Sequence, residues 1–297
     1  MNNLLNAIKE TAAEIHAEID RLLPVPNTAE KRVVEAMRYS ALAGGKRLRP
    51  FLVLQSAQLF GVEKQKALRV AAALEMLHTY SLIHDDLPAM DNDDMRRGKP
   101  TCHKQFDEAT AILAGDALLT RAFGVIAGEH TLFEPAIRCQ LCAELAMAAG
   151  ATGMIGGQML DILAETQEED SDMPEIIRLQ QMKTGRLFSF ACESGAIMGK
   201  ASYEDRQVMK SYARDIGLAF QIADDILDAE GTQEEMGKAV RKDLDAHKAT
   251  FISVLGLDEA KKQADMLSYQ AIASLECFDE KADYLRTLAR YIVERRS

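Results

Sequence analysis

Apolar residues recur along this chain every three or four positions, and no segment shows strict two-residue alternation. Leu4, Leu5, Ile8, Ala12, Ile15, Ile19 and Leu22 trace one face of a first helix, which Pro24 and Pro26 end. Asn27 with Glu30 three residues later predicts a capping box. It opens a second helix, with Val33, Val34, Met37 and Leu42 on the apolar side and Gly44-Gly45 as the stop. Pro50 predicts the first position of a third helix ending at Gly61. A long Ala/Leu-rich helix is predicted over about residues 63–87, followed by an irregular, acidic-to-basic loop between Pro88 and Gly98. Helices over about 107–128 and 135–150 come next, and the glycines at 150, 153, 156 and 157 predict a helix break or a close helix approach. Pro174 opens a helix that reaches Lys183-Thr184-Gly185; helices over about 186–199 and 202–229, a polar loop over 230–247 and two or three further helices complete the chain. No hairpin dipeptide separates β-branched segments. The prediction is an all-α fold, one domain over residues 1–297 with roughly a dozen helices.

Composition supports this picture. Ala, Leu, Met, Glu and Lys dominate, aromatic residues make up only 6%, and Trp is absent, as suits helices rather than strands. With 47% apolar residues, a sizeable core is within reach. The net charge of −11 argues against general nucleic-acid binding. The five cysteines form no disulfide or zinc spacing, and Cys139-x-x-Cys142 reads as two core thiols on a helix. The N-terminus mixes Lys9, Glu10, Glu14 and His16 into its apolar pattern and is not a signal peptide. No run of apolar residues is long enough to predict a membrane span, so the expectation is a soluble, cytoplasmic protein.

Two acidic clusters change the picture from fold to chemistry. Asp85, Asp86, Asp91, Asp93 and Asp94 gather where the long apolar helix ends, and the chain then turns basic at Arg96, Arg97 and Lys99. Two carboxylates ~4 Å apart repel by ~4 kcal/mol at an effective dielectric of ~20, so such a cluster calls for a cation. Oxygen-only ligands point to Mg²⁺, which takes few carboxylates and completes its shell with phosphate oxygens. Adjacent arginines suit phosphate as well. Asp85 and Asp91 would lie on different faces of a continuous helix. Pro88 loosens the helix, because it cannot donate to the carbonyl of His84, and the extra residues swing Asp91 back beside Asp85. The second cluster, Asp224-Asp225-Ile226-Leu227-Asp228, has apolar flanks and puts Asp224 and Asp228 on one helix face, offset by ~40°. A solvated helix end is the bland reading of either cluster alone. Both together favour facing helices that clamp a shared polyanion through Mg²⁺.

Basic residues border the glycine breaks and the aspartates. Lys46 and Arg49 precede a helix N-terminus, where backbone N–H groups add attraction for anions, and Arg96, Arg97, Lys183 and Lys238 are further candidates. Any one of them by itself would ordinarily be a surface charge. His78 lies two turns before Asp85 on nearly the same face; a lone histidine in such a helix is usually a core residue, but this one faces the proposed site.

These motifs, in this order, resemble the trans-polyprenyl diphosphate synthases: Gly44-Gly45-Lys46-Arg47-Leu48-Arg49-Pro50, Asp85-Asp86-Leu87-Pro88-Ala89-Met90-Asp91 with Arg96-Arg97-Gly98, Lys183-Thr184-Gly185, Phe220-Gln221 and Asp224-Asp225-Ile226-Leu227-Asp228. The resemblance implies the isoprenoid synthase fold, a helical bundle around a central cavity. The spacing in the first motif is similar to that of bacterial farnesyl-type synthases, shared by plant-like geranylgeranyl synthases. Two departures occur: Arg241 replaces the second glycine of the family's loop at Gly237–Asp243, and Lys248-Ala249-Thr250-Phe251-Ile252 lacks the family's proline. The resemblance implies ionisation of an allylic diphosphate, dimethylallyl or geranyl, and attack on the cation by isopentenyl diphosphate. By motif, Asp85, Asp91 and Asp224 hold Mg²⁺, three ions with substrate bound, supported by Asp86 and Asp228. Arg96, Lys183 and Lys238 grip the allylic diphosphate, and Lys46, Arg49, His78 and Arg97 hold isopentenyl diphosphate. Phe220 and Lys248 join the substrate set, and Thr184 and Gln221 offer oxygens to the cation. Tyr80 lies ~7.5 Å below Asp85 on the same helix, where the resemblance implies that an aromatic closes the product pocket at C15; its bland reading is a core aromatic. A C20 geranylgeranyl synthase, a terpene cyclase and a non-catalytic partner subunit are the rival readings. A homodimer is also implied.

Overall fold

The computed structural model describes residues 1–166, 172–230 and 250–295. The chain divides into two compact units, residues 2–142 and residues 143–297 with Met1.

The first unit holds α1 (Asn2–Leu22), α2 (Lys31–Ala41), α3 (Leu48–Leu59), α4 (Lys64–Asp85), α5 (Cys102–Gln105) and α6 (Glu108–Ala127). The α7 helix (Pro135–Ala149) begins in it. In α1 the apolar stripe Leu4, Ile8, Ile15, Ile19 and Leu22 is buried, as its spacing predicts. The capping box expected at Asn27–Glu30 does not form. Glu30 itself is the N-cap of α2, in helical conformation and without a side-chain cap. Its carboxylate turns back to Thr28, which holds its pKa down, and the N–H of Lys31 donates to the carbonyl of Thr28 at 3.0 Å. A tight turn over residues 28–30 thus takes the place of the box.

Helix α4 is the axis of this unit, packed by α6, α3, α1 and α2. Its apolar residues surround it rather than forming a stripe: Val70, Ala71, Ala72, Ala73, Leu74, Met76 and Leu77 are all fully buried. Among them lies Glu75, whose carboxylate pairs with the equally buried guanidinium of Arg47. Arg47 is the N-cap of α3 in a left-handed conformation (φ 54°) and also donates to the carbonyl of Ala41 at the end of α2. One ion pair therefore ties α4 to the glycine turn between α2 and α3. Asp107 caps α6, accepting from the N–H of Thr110 at 2.7 Å. By length and composition α6 is long and apolar enough to cross a membrane, but one face of it, with Ala111, Ala114, Leu118 and Ala122, is buried as it packs on α4.

The loop after α4 differs from expectation. Met95–Arg96 (β1) and Lys99–Pro100 (β2) form a two-residue antiparallel ladder. Arg97 and Gly98 at its tip both have positive φ, 51° and 73°, the signature of a type I′ turn. The segment is too short for alternation to reveal it in sequence.

The second unit contains α8 (Met154–Thr166), α9 (Met173–Gln180), a π-helical turn (Gln181–Gly185), α10 (Arg186–Met198) and α11 (Tyr203–Glu230). Then come α12 (Phe251–Leu255), α13 (Leu257–Ser274), a 3₁₀ turn (Glu280–Ala282) and α14 (Asp283–Glu294). Here α11 is the axis, packed by α13, α10 and α14, and the hydroxyl of Tyr212 donates to the carbonyl of Leu285 at 2.7 Å. Asp172 and Glu175 form a true capping box at α9, with Pro174 in its first turn. The glycines at 150–157 do both things expected of them. The helix breaks between α7 and α8, and a Cβ on Gly157 would lie 2.2 Å from the backbone nitrogen of Lys183, so α8 approaches the π turn closely.

Removing one partner of the Arg47–Glu75 pair strands a buried charge. Glu75→Ala is therefore expected to destabilise the protein by about 3–5 kcal/mol, and the double replacement Arg47→Met/Glu75→Leu by clearly less. Urea unfolding of the three proteins checks this.

Candidate active site

In the first unit, α4 ends at Asp85, and the backbone then doubles back. The N–H of Asp91 donates to the carbonyl of Asp85 at 2.8 Å, while those of Met90 and Asn92 donate to the carbonyl of Leu87 at 2.9 and 3.1 Å. Pro88, with no N–H to continue the helix, sits inside this turn. The backbones of the two aspartates expected to share a cation are thus bonded to each other. Asp86 points elsewhere. It is buried, and its Oδ1 accepts from Nε of Arg96 at 2.6 Å; Asp93 lies 3.5 Å from the other end of the same guanidinium. Burial outweighs Arg96 and pushes the Asp86 pKa up to about 6.

The hairpin separates its two arginines. Arg96 turns to Asp86, whereas Arg97 donates to the carbonyl of Gly44 and approaches Glu75 at 3.8 Å. Gly45 explains how it fits: at φ 115°, a Cβ there would lie 2.8 Å from the Arg97 guanidinium carbon. Arg49 donates to Nε2 of His78 at 3.2 Å, so that nitrogen carries no proton. Burial first, then the positive charges of Arg49, Arg97, Arg47 and Arg96, hold His78 well below the usual histidine pKa. Lys46 is exposed. Of the expected holders of one diphosphate, Arg49 and Arg97 both act on His78, and Arg97 also approaches a residue the motifs did not single out, Glu75.

Tyr80 is buried, 5% exposed, and its ring meets that of His84 edge-on at 5.5 Å. The His84 ring is fixed in turn by Nε2 at 3.1 Å from the carbonyl of Ile112. It occupies the space that a side chain at Gly115 would need, since a Cβ there would lie 2.2 Å from its Nε2. Burial, with Asp85 and Asp116 nearby, raises the Tyr80 phenol to about 12, so it stays neutral.

In the second unit, Lys183 and Thr184 lie in the π turn, a distortion that adds a residue per turn and re-aims side chains. Lys183 pairs with Asp161 of α8. The hydroxyl of Thr184 lies 3.4 Å from Oε1 of Gln221. Gln221 donates to Asp225 at 3.2 Å, and Asp225 accepts from the N–H of Phe251 at 2.9 Å. Asp225 and Asp228 are buried. Asp224 is 44% exposed and receives Nη2 of Arg295 at 2.6 Å. The Arg295 guanidinium lies 4.1 Å from the ring centroid of Phe220. Sequence reasoning missed Glu75, Asp161 and Arg295. The first two carried a signal, as lone acids inside apolar helical runs; Arg295, remote in the chain, carried none. Lys238 and Lys248 lie outside the described residues, as does the loop at 237–243.

No group of three or more His, Cys, Asp or Glu side chains among the described residues forms a metal site by itself. The donor set still fits Mg²⁺, since all candidate donors are carboxylate oxygens and this ion completes its shell with water and phosphate oxygens.

Helices that end in these acidic clusters define a class: the all-α enzymes of the isoprenoid synthase fold. An FPP/GFPP synthase of Zymomonas mobilis superposes with a TM-score of 0.90 at 51% identity, over 98% of this chain and 99% of that one. A geranyltransferase of Legionella pneumophila does so at 0.88 and 32% identity, over 99% and 98%. The chain belongs to the polyprenyl synthetase family, whose model matches residues 30–288, and it is a prenyl-transferring enzyme. It is 45% identical to the farnesyl diphosphate synthase of Micrococcus luteus over 93% of this chain and 94% of that protein. It is 42% identical to the geranylgeranyl diphosphate synthase of Cyanophora paradoxa over 99% and 97%.

His78 gives a direct check. Its depressed pKa means that its contribution to stability is full above the unfolded value of 6.5 and is lost as the pH falls toward the folded one. Nitrogen-detected NMR is expected to show neutral His78, protonated on Nδ1, at pH 6.5. His78→Gln is expected to flatten the fall in stability between pH 6.5 and about 5.

Proposed function

We propose that the chain acts as one polyprenyl synthase domain that condenses isopentenyl diphosphate with dimethylallyl and then geranyl diphosphate, releasing farnesyl diphosphate and diphosphate. The observation that carries the C15 product is Tyr80: a buried ring, braced by His84, one and a half turns below Asp85. A growing chain that descends along α4 meets a wall there.

In this reading Asp85, Asp91 and Asp224 hold Mg²⁺, with Asp228 in support and Asp86 acting through Arg96. Bound Mg²⁺ supplies charge stabilisation for the departing diphosphate. Arg96, Lys183 and Lys238 grip the allylic diphosphate, whose C–O bond breaks heterolytically with the electron pair leaving on oxygen. Thr184 and Gln221 present oxygen to the allylic cation, and the Gln221 amide is oriented for this by its bond to Asp225. Phe220 and Lys248 complete the substrate contacts. Lys46, Arg49, His78 and Arg97 hold isopentenyl diphosphate, whose double bond attacks the cation. The proton then lost goes to the released diphosphate, so no protein base is required. A cytoplasmic homodimer without nucleic-acid partners belongs to the same proposal, and Leu113 on α6, 58% exposed, and Leu132, 67% exposed, are the kind of surface a second copy would cover. The C20 reading differs only at the pocket floor; a non-catalytic subunit would have no use for both acidic clusters.

Tyr80→Ala is expected to shift the product from C15 to C20 or longer in radio-chromatography with isopentenyl and geranyl diphosphates; unchanged C15 output rejects the floor. Asp85→Ala and Asp224→Ala are each expected to lower turnover about 10²–10³-fold at saturating Mg²⁺, and near-normal turnover in either rejects its metal role.

A further inference from the structure

The second unit holds a cavity of about 700 Å³ that none of the catalytic proposals uses. It is lined by residues of α9, the π turn, α10 and α11; Lys183, Thr184, Gln221 and Asp224 are not among them. Its walls carry four cations, Arg178, Arg186, Lys210 and Arg214. Lys210 and Arg214 are four apart on α11, so they share a face and repel.

Among the described residues, the nearby carboxylates do not balance these charges. Lys210 lies 3.0 Å from Glu193, and the same carboxylate also serves Arg206. Arg214 lies 3.0 Å from Asp215. The side chains of Arg178 and Arg186 make no ion pair or hydrogen bond with any described residue. Two guanidinium forks therefore remain unused beside one cavity, on a chain whose net charge is −11. Guanidinium groups match phosphate oxygens bidentately. Thr152, Ser189 and Ser211 add hydroxyl donors, and Ala151, Met182 and Leu218 add apolar wall.

The geometry points to a second ligand site in this cavity, for a molecule bearing a diphosphate group, held by Arg178 and Arg186 with Lys210 and Arg214. Separate cations on two walls suit an anion of more than one phosphate, and the apolar wall offers room for an attached hydrocarbon. Gln181, Met182 and Gly185 belong both to this cavity and to the π turn that carries Lys183 and Thr184. The site is thus distinct from the catalytic residues yet built on the same turn.

Calorimetric titration of the full chain in EDTA, without Mg²⁺, tests this with two probes, inorganic diphosphate and farnesyl thiolodiphosphate. Beside any binding at Lys46, Arg49, His78 and Arg97, both are expected to show a second binding event in the wild type that persists in Asp85→Asn/Asp224→Asn and weakens at least tenfold in Arg178→Gln/Arg186→Gln. Circular dichroism and normal turnover with Mg²⁺ establish that the arginine variant is folded, and Arg178→Lys/Arg186→Lys, which keeps the charge, is expected to restore part of the binding. Tighter binding of the farnesyl probe assigns the site to prenyl diphosphates, and equal binding assigns it to free diphosphate. No second binding event in the wild type, an undiminished second event in the arginine variant, or its loss in Lys183→Gln in its place would each overturn the proposal.

Discussion

The carboxylate of Glu75 lies among apolar side chains in the middle of α4, and the guanidinium groups of Arg47 and Arg97 are drawn to it. A charge buried this deeply persists only when it is paired, so the partners are held as firmly as the helix. Arg47 fixes the turn between α2 and α3, and Arg97 fixes the hairpin against Gly44 and Gly45. From that scaffold Arg49 reaches His78. Two of the four arginines that act on His78, Arg47 and Arg97, are thus held by one acid.

The second unit solves a similar problem with backbone rather than charge. Lys183 and Thr184 sit in a π turn, wedged where Gly157 lets α8 approach and where Gly217 of α11 comes near Gly185. The turn directs Lys183 to Asp161 and Thr184 to Gln221 within two successive residues. Arg295 supplies a counter-charge to Asp224 while stacking on Phe220. The polar side chains of this unit are thereby set by their neighbours.

Most helices were legible in sequence because their buried faces repeat at the helical period, and the stops at Pro24, Gly128 and Gly199 were legible because those residues interrupt it. The doubling-back of Asp91 onto Asp85 followed from Pro88 alone. What escaped was short or tertiary. The capping box at Asn27 failed because Thr28 and Glu30 close a competing turn. The Arg97-Gly98 hairpin has only two residues on each strand, and the π turn differs from an α-helix by a hydrogen-bond shift that no composition marks. Partners such as Glu75, Asp161 and Arg295 were invisible as pairs, although a lone acid inside an apolar run already signals a buried charge. The family motifs single out the proposed aspartates and cations; the structure adds that Asp86 pairs with Arg96.

We propose that this polyprenyl synthase stops at fifteen carbons because the Tyr80 ring, braced by His84, closes the pocket below Asp85. The most direct test is the product spectrum of the unmodified enzyme, supplied with dimethylallyl diphosphate, excess isopentenyl diphosphate and Mg²⁺ and followed to completion. The account predicts that farnesyl diphosphate accumulates as the end product. Conversion of that farnesyl diphosphate to geranylgeranyl diphosphate as the main product would contradict it.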